Sequence, residues 1–301
     1  MLYICATPIG NLQDITLRVL DALRQVDLVA CEDTRHTRIL MDRHGISARL
    51  VSFHEHNEEQ RLAALLPLLR EGKEVALVSD AGMPGLSDPG FSLVRACAAE
   101  GIPVTVLPGP SAISTALVAS GLPADRFAFI GFLPRAKTKL ADQLATFEGS
   151  GVALVAFESP RRLRASLEVI GARWPERRLA ACRELTKLHE EVIRGTAAEI
   201  LERLADPVRG EIVLVMEPFG AETMRGRGSA FTAVGDLEAR VRRALADLLG
   251  LGVGTKRAAA IIAQLSGLPT RRAYELALDA KKAGSRPHGP ASPDPDPPGS
   301  A

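Results

Sequence analysis

Val75-Ala-Leu-Val-Ser-Asp-Ala-Gly-Met-Pro-Gly-Leu-Ser-Asp-Pro-Gly90 sets a short apolar run against a loop. The twelve residues from Ser79 hold three Gly, two Pro, two Asp and two Ser. The run, Val75 to Ser79, suits a strand buried on both faces of a parallel sheet. Leu2 to Ala6, Leu28 to Cys31 and Val104 to Leu107 have the same form. Between these runs, Ile15, Val19, Leu20 and Leu23 recur at helical spacing after Asp14, an expected N-cap. A second helix is expected after Asn57, with Gln60 at the capping-box position. Strands alternating with helices mean right-handed βαβ units and an open parallel sheet.

In such a sheet ligands bind beyond the carboxyl ends of the strands. Three loops fall there: Thr7-Pro-Ile-Gly-Asn11, Ser79 to Gly90, and Leu107-Pro-Gly-Pro-Ser-Ala112, where Ser111 is the expected N-cap of the next helix. Thr7, Pro8 and Gly10 of the first loop are candidate binding residues. Ser79, Asp80, Ala81, Gly82, Pro84, Ser87, Asp88 and Pro89 are those of the second, and Pro108, Gly109, Pro110, Ser111 and Ala112 those of the third. None of the loops is a GxGxxG fingerprint or a P-loop ending in GK[ST]. Gly-rich backbone and carboxylates that accept from ribose hydroxyls point to a nucleoside-like ligand at this rim. Glu32-Asp-Thr-Arg-His-Thr37 also ends a strand, so Asp33 and Arg35 are candidates to orient a substrate. His54-Glu-His56 lacks a third ligand at a recognisable spacing, and no metal is expected.

A second α/β domain is expected at about 123–220, after a first at 1–120. Its strands are read at Phe127 to Phe132, Val152 to Phe157, Leu179 to Cys182, His189 to Ile193 and Glu211 to Met216, with helices at Arg161 to Ile170 and Ala197 to Leu204. Phe157-Glu-Ser-Pro-Arg-Arg-Leu163 ends a strand with Glu158. Arg183-Glu-Leu-Thr-Lys-Leu-His-Glu190 packs ionisable groups onto a short connection, and one helical turn would cluster Glu184, Lys187 and Glu190. Beyond a Gly-rich linker (Pro218 to Ser229), three apolar stripes mark a helical module at 230–283. They are Leu237, Val241, Leu245, Leu248 and Leu249; Ala258, Ile261, Ile262 and Leu265; and Tyr274, Ala277 and Leu278. Residues 284–301 are Pro-, Gly- and Ser-rich and are expected to be disordered.

The chain has 301 residues, 46% hydrophobic and 24% charged, with a net charge of +1. This composition excludes wholesale disorder, and the near-neutral balance does not suggest a histone-like polyanion binder. Charge is unevenly spread: −4 over 1–130, +1 over 131–220, +5 over 221–283 and −1 beyond. Cys5, Cys31, Cys97 and Cys182 form no CxxC pair and read as core residues of a reduced, cytoplasmic protein. No apolar run reaches the ~18 residues of a membrane span, and no leader is indicated.

Taken together, Ala6-Thr-Pro-Ile-Gly-Asn-Leu12, Glu32-Asp-Thr-Arg35, Ser79 to Gly90, Pro108-Gly-Pro-Ser-Ala112, Gly131-Phe-Leu-Pro134, Phe157-Glu-Ser-Pro160 and Arg183-Glu-Leu-Thr-Lys187 resemble one family. It is the ribosomal RNA small subunit methyltransferase family that 2'-O-methylates a cytidine of 16S rRNA, within the tetrapyrrole methylase-like superfamily. Met83 and Arg161 depart from its usual Thr and His. The resemblance implies two α/β domains with S-adenosylmethionine in the cleft between them, a homodimer, and 16S rRNA within the small ribosomal subunit as substrate. Ribose methylation needs a base or a stabilised alkoxide. Lys187 is the first candidate, as an electrostatic partner or, with a depressed pKa, a base; Glu184, Glu190 and Glu158 are alternative bases. Rival readings are a methyltransferase of a tetrapyrrole-like small molecule or of a protein side chain, and a non-catalytic ribosome-associated RNA-binding protein. The +5 module disfavours a small-molecule substrate.

Overall fold

The computed structural model describes residues 1–219 and 233–284. Five short strands, β1 (Leu2–Cys5), β2 (Leu28–Cys31), β3 (Leu50–Ser52), β4 (Val75–Val78) and β5 (Val104–Leu107), pair in parallel in the order β3-β2-β4-β1-β5. Every residue of β2 and β4 is buried, which is why these strands read as unbroken apolar runs. Helices α1 (Leu17–Gln25) and α2 (Thr34–Arg43) cover one face around Val19, Leu23 and Met41. Helices α3 (Glu58–Arg70) and α4 (Phe91–Ala99) cover the other around Phe53, Leu65 and Leu93. Because β1 lies between β4 and β5, the loops after these three strands are neighbours at one edge of the sheet.

Two helix starts differ from expectation. Asp14 closes a single 3-10 turn capped by Asn11, Ile15 is extended, and α1 begins after Thr16, whose hydroxyl accepts from Val19 N at 3.3 Å. Asn57 turns its side chain backwards: Oδ1 accepts from His54 N (2.9 Å) and Nδ2 donates to Ser52 O (3.3 Å), so α3 starts without a side-chain cap. At Asn57 the polar side chain found a nearer backbone partner in the preceding turn.

Helix α5 (Ala112–Ser120) leads to a second sheet of β6 (Phe127–Phe132), β7 (Ala153–Glu158), β8 (Leu179–Arg183), β9 (Glu191–Gly195) and β10 (Ile212–Met216). The order is β6-β7-β10-β8-β9; only β6 and β7 are parallel, and β10 runs against both β7 and β8. β9 starts two residues later than the sequence suggests. Helices α6 (Lys137–Ala145), α7 (Pro160–Arg173) and α8 (Ala197–Arg203) cover one face, with Leu163, Leu167 and Ile170 of α7 fully buried. The other face packs on α5 and Ile9 around Val155, Ala180 and Val213. One helix of the first half thus closes the core of the second, and residues 1–224 form one compact unit. All four cysteines are buried and free.

The second unit, from residue 225, contains α9 (Ala233–Gly250), α10 (Thr255–Ser266) and α11 (Thr270–Gly284). Its core is Val241, Leu245, Ala258, Ala259, Ile262, Ala273, Leu276 and Ala277. The third stripe therefore lies one step from the expected one: Tyr274 and Leu278 are 40% and 38% exposed, and Leu265 is exposed as well. Small alanines let the helices approach closely, and ranking positions by side-chain size overlooks them. The expected linker beyond Phe219 and the tail beyond 284 lie outside the described residues. Among the described residues no helix is long and apolar enough to cross a membrane.

Candidate active site

The loop after β4 is tied down before it reaches any ligand. Thr7 pairs with Gly82 through two backbone hydrogen bonds (2.9 and 3.0 Å), and its buried hydroxyl donates to Ser79 O at 3.0 Å. The Ser79 hydroxyl bonds within the loop, to Ala81 O and Gly82 O. Thr7 and Ser79 thus brace the loop. Gly82 holds φ +79°, a conformation open to glycine at little cost.

The braced loop forms one wall of a cavity of about 330 Å³ between the two sheets. Ala81, Gly82, Met83, Leu86, Ser87 and Asp88 line it from the loop, with Ile9 and the start of α5 (Ser111, Ala112, Ile113) beside them. Ser111 caps α5 by position only; its side chain makes no capping bond. The opposite wall comes from the second sheet: Phe132, Phe157 to Pro160, Cys182, Leu185, and Gly210 to Val213. Of the residues expected at a binding rim, Ala81, Gly82, Ser87, Asp88, Ser111 and Ala112 line this cavity. Pro84, Pro89, Pro108, Gly109 and Pro110 shape the loops behind it; a Cβ at Gly109 would sit 2.9 Å from that of Ala6.

Asp88 brings a carboxyl to this wall. Burial pushes its pKa up to about 6, Glu32 and Asp80 add to the rise, and a hydrogen bond from Ser79 opposes it. Asp80, with Thr7, Pro8, His36 and Ser79, lines a separate hollow of about 50 Å³. There Asp80 accepts from Asp33 N (3.1 Å) and meets His36 Nδ1 (3.1 Å). Asp33 caps α2 and grips Arg35 in a fork (Nη2 to Oδ2, 2.6 Å), which holds its carboxyl well below the usual carboxylate range. Neither Asp33 nor Arg35 is on the cavity wall.

Gly10, expected at the binding rim, instead lets the first half approach the second. A Cβ there would lie 2.5 Å from Lys187 Cγ and 2.8 Å from Thr186 Oγ1, and the Thr186 hydroxyl accepts from Asn11 N at 3.1 Å. The segment Glu184 to Glu190 is a series of turns, not a helical turn. Glu184 and Thr186 take φ +51° and +66°, and for a β-branched residue that is strained backbone. Glu190 turns back to accept from Thr186 N at 2.6 Å, away from Lys187. Lys187 Nζ donates to Glu184 Oε1 (2.9 Å) and Glu211 Oε2 (3.0 Å). Burial alone would lower the lysine pKa, but the two carboxylates outweigh it and the net shift is upward. The shift is upward where a base would need it downward, and the two carboxylates favour the ammonium form. The Glu184 carboxyl is pulled down by that same lysine and by Glu211 N.

Of the carboxylates expected as bases, Glu184, Glu190 and Glu158, only Glu158 lines the cavity, and both its oxygens are engaged. Oε1 accepts from Ser159 N (2.6 Å) and pairs with Arg162 (2.5 Å), and Oε2 accepts from Ser166 (2.5 Å). Glu211 carries no signal of its own in the sequence, where it reads as the first residue of a strand. It lines the cavity, bonds Lys187 through one oxygen and exposes most of its side chain. Gly210 before it, at φ +88°, leaves no room for a side chain against Glu184. Among the described residues no group of three His, Cys, Asp or Glu is placed to hold a metal.

A fold of two five-stranded sheets with a cleft walled by strand-end loops is that of the Tetrapyrrole (Corrin/Porphyrin) Methylases, whose family model matches residues 1–201. Solved structures of the same fold include uroporphyrin-III-C-methyltransferase from Thermus thermophilus (TM-score 0.51, 24% identity, 74% of this chain and 97% of that one). Diphthine synthase is another (TM-score 0.56, 16% identity, 72% and 89%). At this identity the likeness concerns the fold alone. Ribosomal RNA small subunit methyltransferase I of Escherichia coli O157:H7 is 44% identical over 92% of this chain and 94% of that protein. The Thermotoga maritima protein of the same name is 47% identical over 71% and 97%. The chain belongs to the ribosomal RNA small subunit methyltransferase I family, within the tetrapyrrole methylases.

Proposed function

We propose that the protein transfers a methyl group from S-adenosylmethionine to the ribose 2'-hydroxyl of a cytidine in 16S rRNA, acting as a cytoplasmic homodimer on the small ribosomal subunit. The observation that carries this reading is the cavity between the sheets. A glycine-bearing backbone loop walls one side, and the Lys187–Glu211 pair stands at the other. Family membership supplies rRNA methylation as the activity of the named relatives.

The residues present suit the donor. Apolar side chains such as Ile9, Leu86 and Ile113 offer a surface for an adenosine, the loop backbone offers donors and acceptors, and Asp88 offers negative charge to a cation. When bound, S-adenosylmethionine supplies an activated methyl on a sulfonium that becomes neutral on transfer. The protein's task is then to hold donor and acceptor in line and to deal with the acceptor's proton. Glu211 is the carboxylate placed for that proton, since it lines the cavity and leaves one oxygen unbonded. Lys187 holds Glu211 in position and sets positive charge near the developing alkoxide. Glu184, Glu190 and Glu158 are occupied in holding Lys187, Thr186 and Arg162.

The helical module adds basic surface: Arg243, Lys256 and Arg257 are exposed on its helices, while Arg242 pairs with Asp279 at 3.5 Å. We assign it to RNA docking. A donor titration by calorimetry, followed by the rate of the Glu211→Gln variant, tests the proposal. Glu211→Gln is expected to bind donor normally and to lose turnover by about 10²-fold, the usual contribution of a positioned general base. A variant within a few-fold of the parent rate removes Glu211 from the chemistry.

A further inference from the structure

β6 is an edge strand with one residue too many. Phe129 pairs with Val155 and Phe132 with Phe157, so three steps on β6 match two on β7, and the register shifts between them. Gly131 takes up the shift at φ +69°. Strict alternation would send Phe132 to the face of Ala128 and Ile130, into the core under α6 and α7. The bulge instead turns it to the face of Phe129 and Phe157, and bulges next to active sites characteristically re-aim a side chain in this way. The residue is 60% exposed, it lines the cavity, and its ring packs edge-on against Phe157 at 5.5 Å, which in turn packs on Phe129 at 4.9 Å.

Three exposed arginines lie close in sequence to this wall. Arg161 follows Pro160, Arg209 precedes Gly210, and Arg135 lies three residues beyond Phe132. None of the three is paired with a carboxylate among the described residues. An exposed aromatic face, with unpaired cations a few residues along the chain from the residues of its wall, is the chemistry that takes a single-stranded nucleotide: the ring stacks on the base and the cations meet the flanking phosphates.

We propose that Phe132 is the stacking platform for the base of the acceptor nucleotide, a specificity-determining residue of the second half, with Arg135, Arg161 and Arg209 holding the adjacent phosphates. The inference rests on the reading that the cavity holds the methyl donor and that RNA is the acceptor. It requires the target nucleotide to be flipped out of any helix, so that its sugar faces Glu211 while its base lies on the ring.

The test is steady-state methylation of 30S subunits by the parent, Phe132→Ala and Phe132→Trp, with donor affinity and oligomeric state measured on each. A synthetic rRNA fragment carrying an abasic ribose at the labelled position serves as a second substrate. Phe132→Ala is expected to bind donor within about twofold of the parent and to raise KM for RNA about five- to a hundred-fold, the scale of losing a single base stack. Phe132→Trp should restore it. The parent should discriminate against the abasic fragment, and Phe132→Ala should not, because the base and the ring are one interaction. Unchanged KM in Phe132→Ala with an active parent overturns the platform alone. Loss of donor affinity would make Phe132 part of the donor wall, and a changed oligomeric state would make it a self-association surface; either result overturns the proposal. A parent that methylates no RNA contradicts the proposed function, and the platform falls with it.

Discussion

The first sheet and the second meet the same cavity by different means. In the first, all strands are parallel, their carboxyl ends lie side by side, and the wall is a loop braced by Thr7 with Gly82 at φ +79°, the uncapped start of α5, and apolar side chains such as Ile9, Leu86 and Ile113. In the second, mixed pairing brings the end of β7 and the beginning of β10 together, and the wall carries aromatic rings and carboxylates: Phe132, Phe157, Glu158 and Glu211. A wall of braced backbone and apolar side chains suits recognition of an invariant ligand, because it tolerates little change of shape. A wall with carboxylates supplies charge and proton chemistry. The comparison fits the proposal that the first half binds the donor and the second carries the acceptor chemistry.

That division breaks or sharpens under substitution. The largest effect is expected from Lys187→Ala, which should lower kcat by about 10²-fold, as for loss of one preorganised electrostatic group, with donor affinity nearly unchanged. Glu184 would keep its bond to Glu211 N at 2.9 Å, so the fold should survive. Steady-state rates beside calorimetry check this; a variant that loses donor affinity and keeps kcat would reverse the assignment. Gly82→Val should do the converse. The nearest atom to a new Cβ is Ile9 Cγ2 at 3.5 Å, so the cost is not a clash but a left-handed φ, about 1–2 kcal/mol. Donor affinity should fall about tenfold as the loop relaxes; unchanged affinity in the folded variant removes the loop from the donor site.

Asp88 is the exception in the first half, an ionisable side chain on that wall. Its folded pKa, about 6, lies above the ordinary 3.8, so it is neutral at pH 5 and ionised at pH 7. The associated stability is present below the ordinary value and is lost as pH rises through about 6. Affinity for a cationic donor should move the other way, rising up to about tenfold between pH 5 and 7, and the rise should vanish in Asp88→Asn. A parent profile that is flat over this range would show that Asp88 does not sense the donor's charge. The smallest effect is expected from removing residues 225–301. The Thermotoga maritima relative, matched over 221 residues that make up 97% of its length, has no room for a second unit of this size. Donor binding and turnover should persist, and RNA affinity should fall a few-fold. Its salt dependence should flatten by about 0.7–0.9 for each phosphate that the module neutralises in the intact protein. An unchanged salt slope would leave the module no part in RNA docking.

The difference between the halves also explains what can be read without coordinates. In the first sheet β2 and β4 are legible because both faces are buried, whereas β3, three half-buried residues, goes unread; Ser79 to Gly90 is legible because no ordinary turn concentrates so many glycines and prolines. The roles inside the loops are not. Thr7 and Gly10 lie in one run, yet one braces a loop and the other admits Lys187, a distinction set by partners more than 70 residues away. The second wall is harder still. Glu211 is absorbed into a strand, and Phe132 looks like core because alternation assigns it there; only the register shift at Gly131 shows otherwise. Helical spacing assembles Lys187, Glu184 and Glu190, whereas left-handed residues at 184 and 186 bend the segment and send Glu190 elsewhere.

Methylation of an rRNA ribose by this protein leaves a mark that can be mapped to one nucleoside. Incubating the protein with methyl-labelled S-adenosylmethionine and either 30S subunits or naked 16S rRNA, then digesting the RNA and mapping the label, tests it most directly. A single labelled nucleoside, 2'-O-methylcytidine, is expected in 16S rRNA, formed more readily on the assembled subunit. Label on a nucleobase, on ribosomal protein or on neither substrate would contradict it.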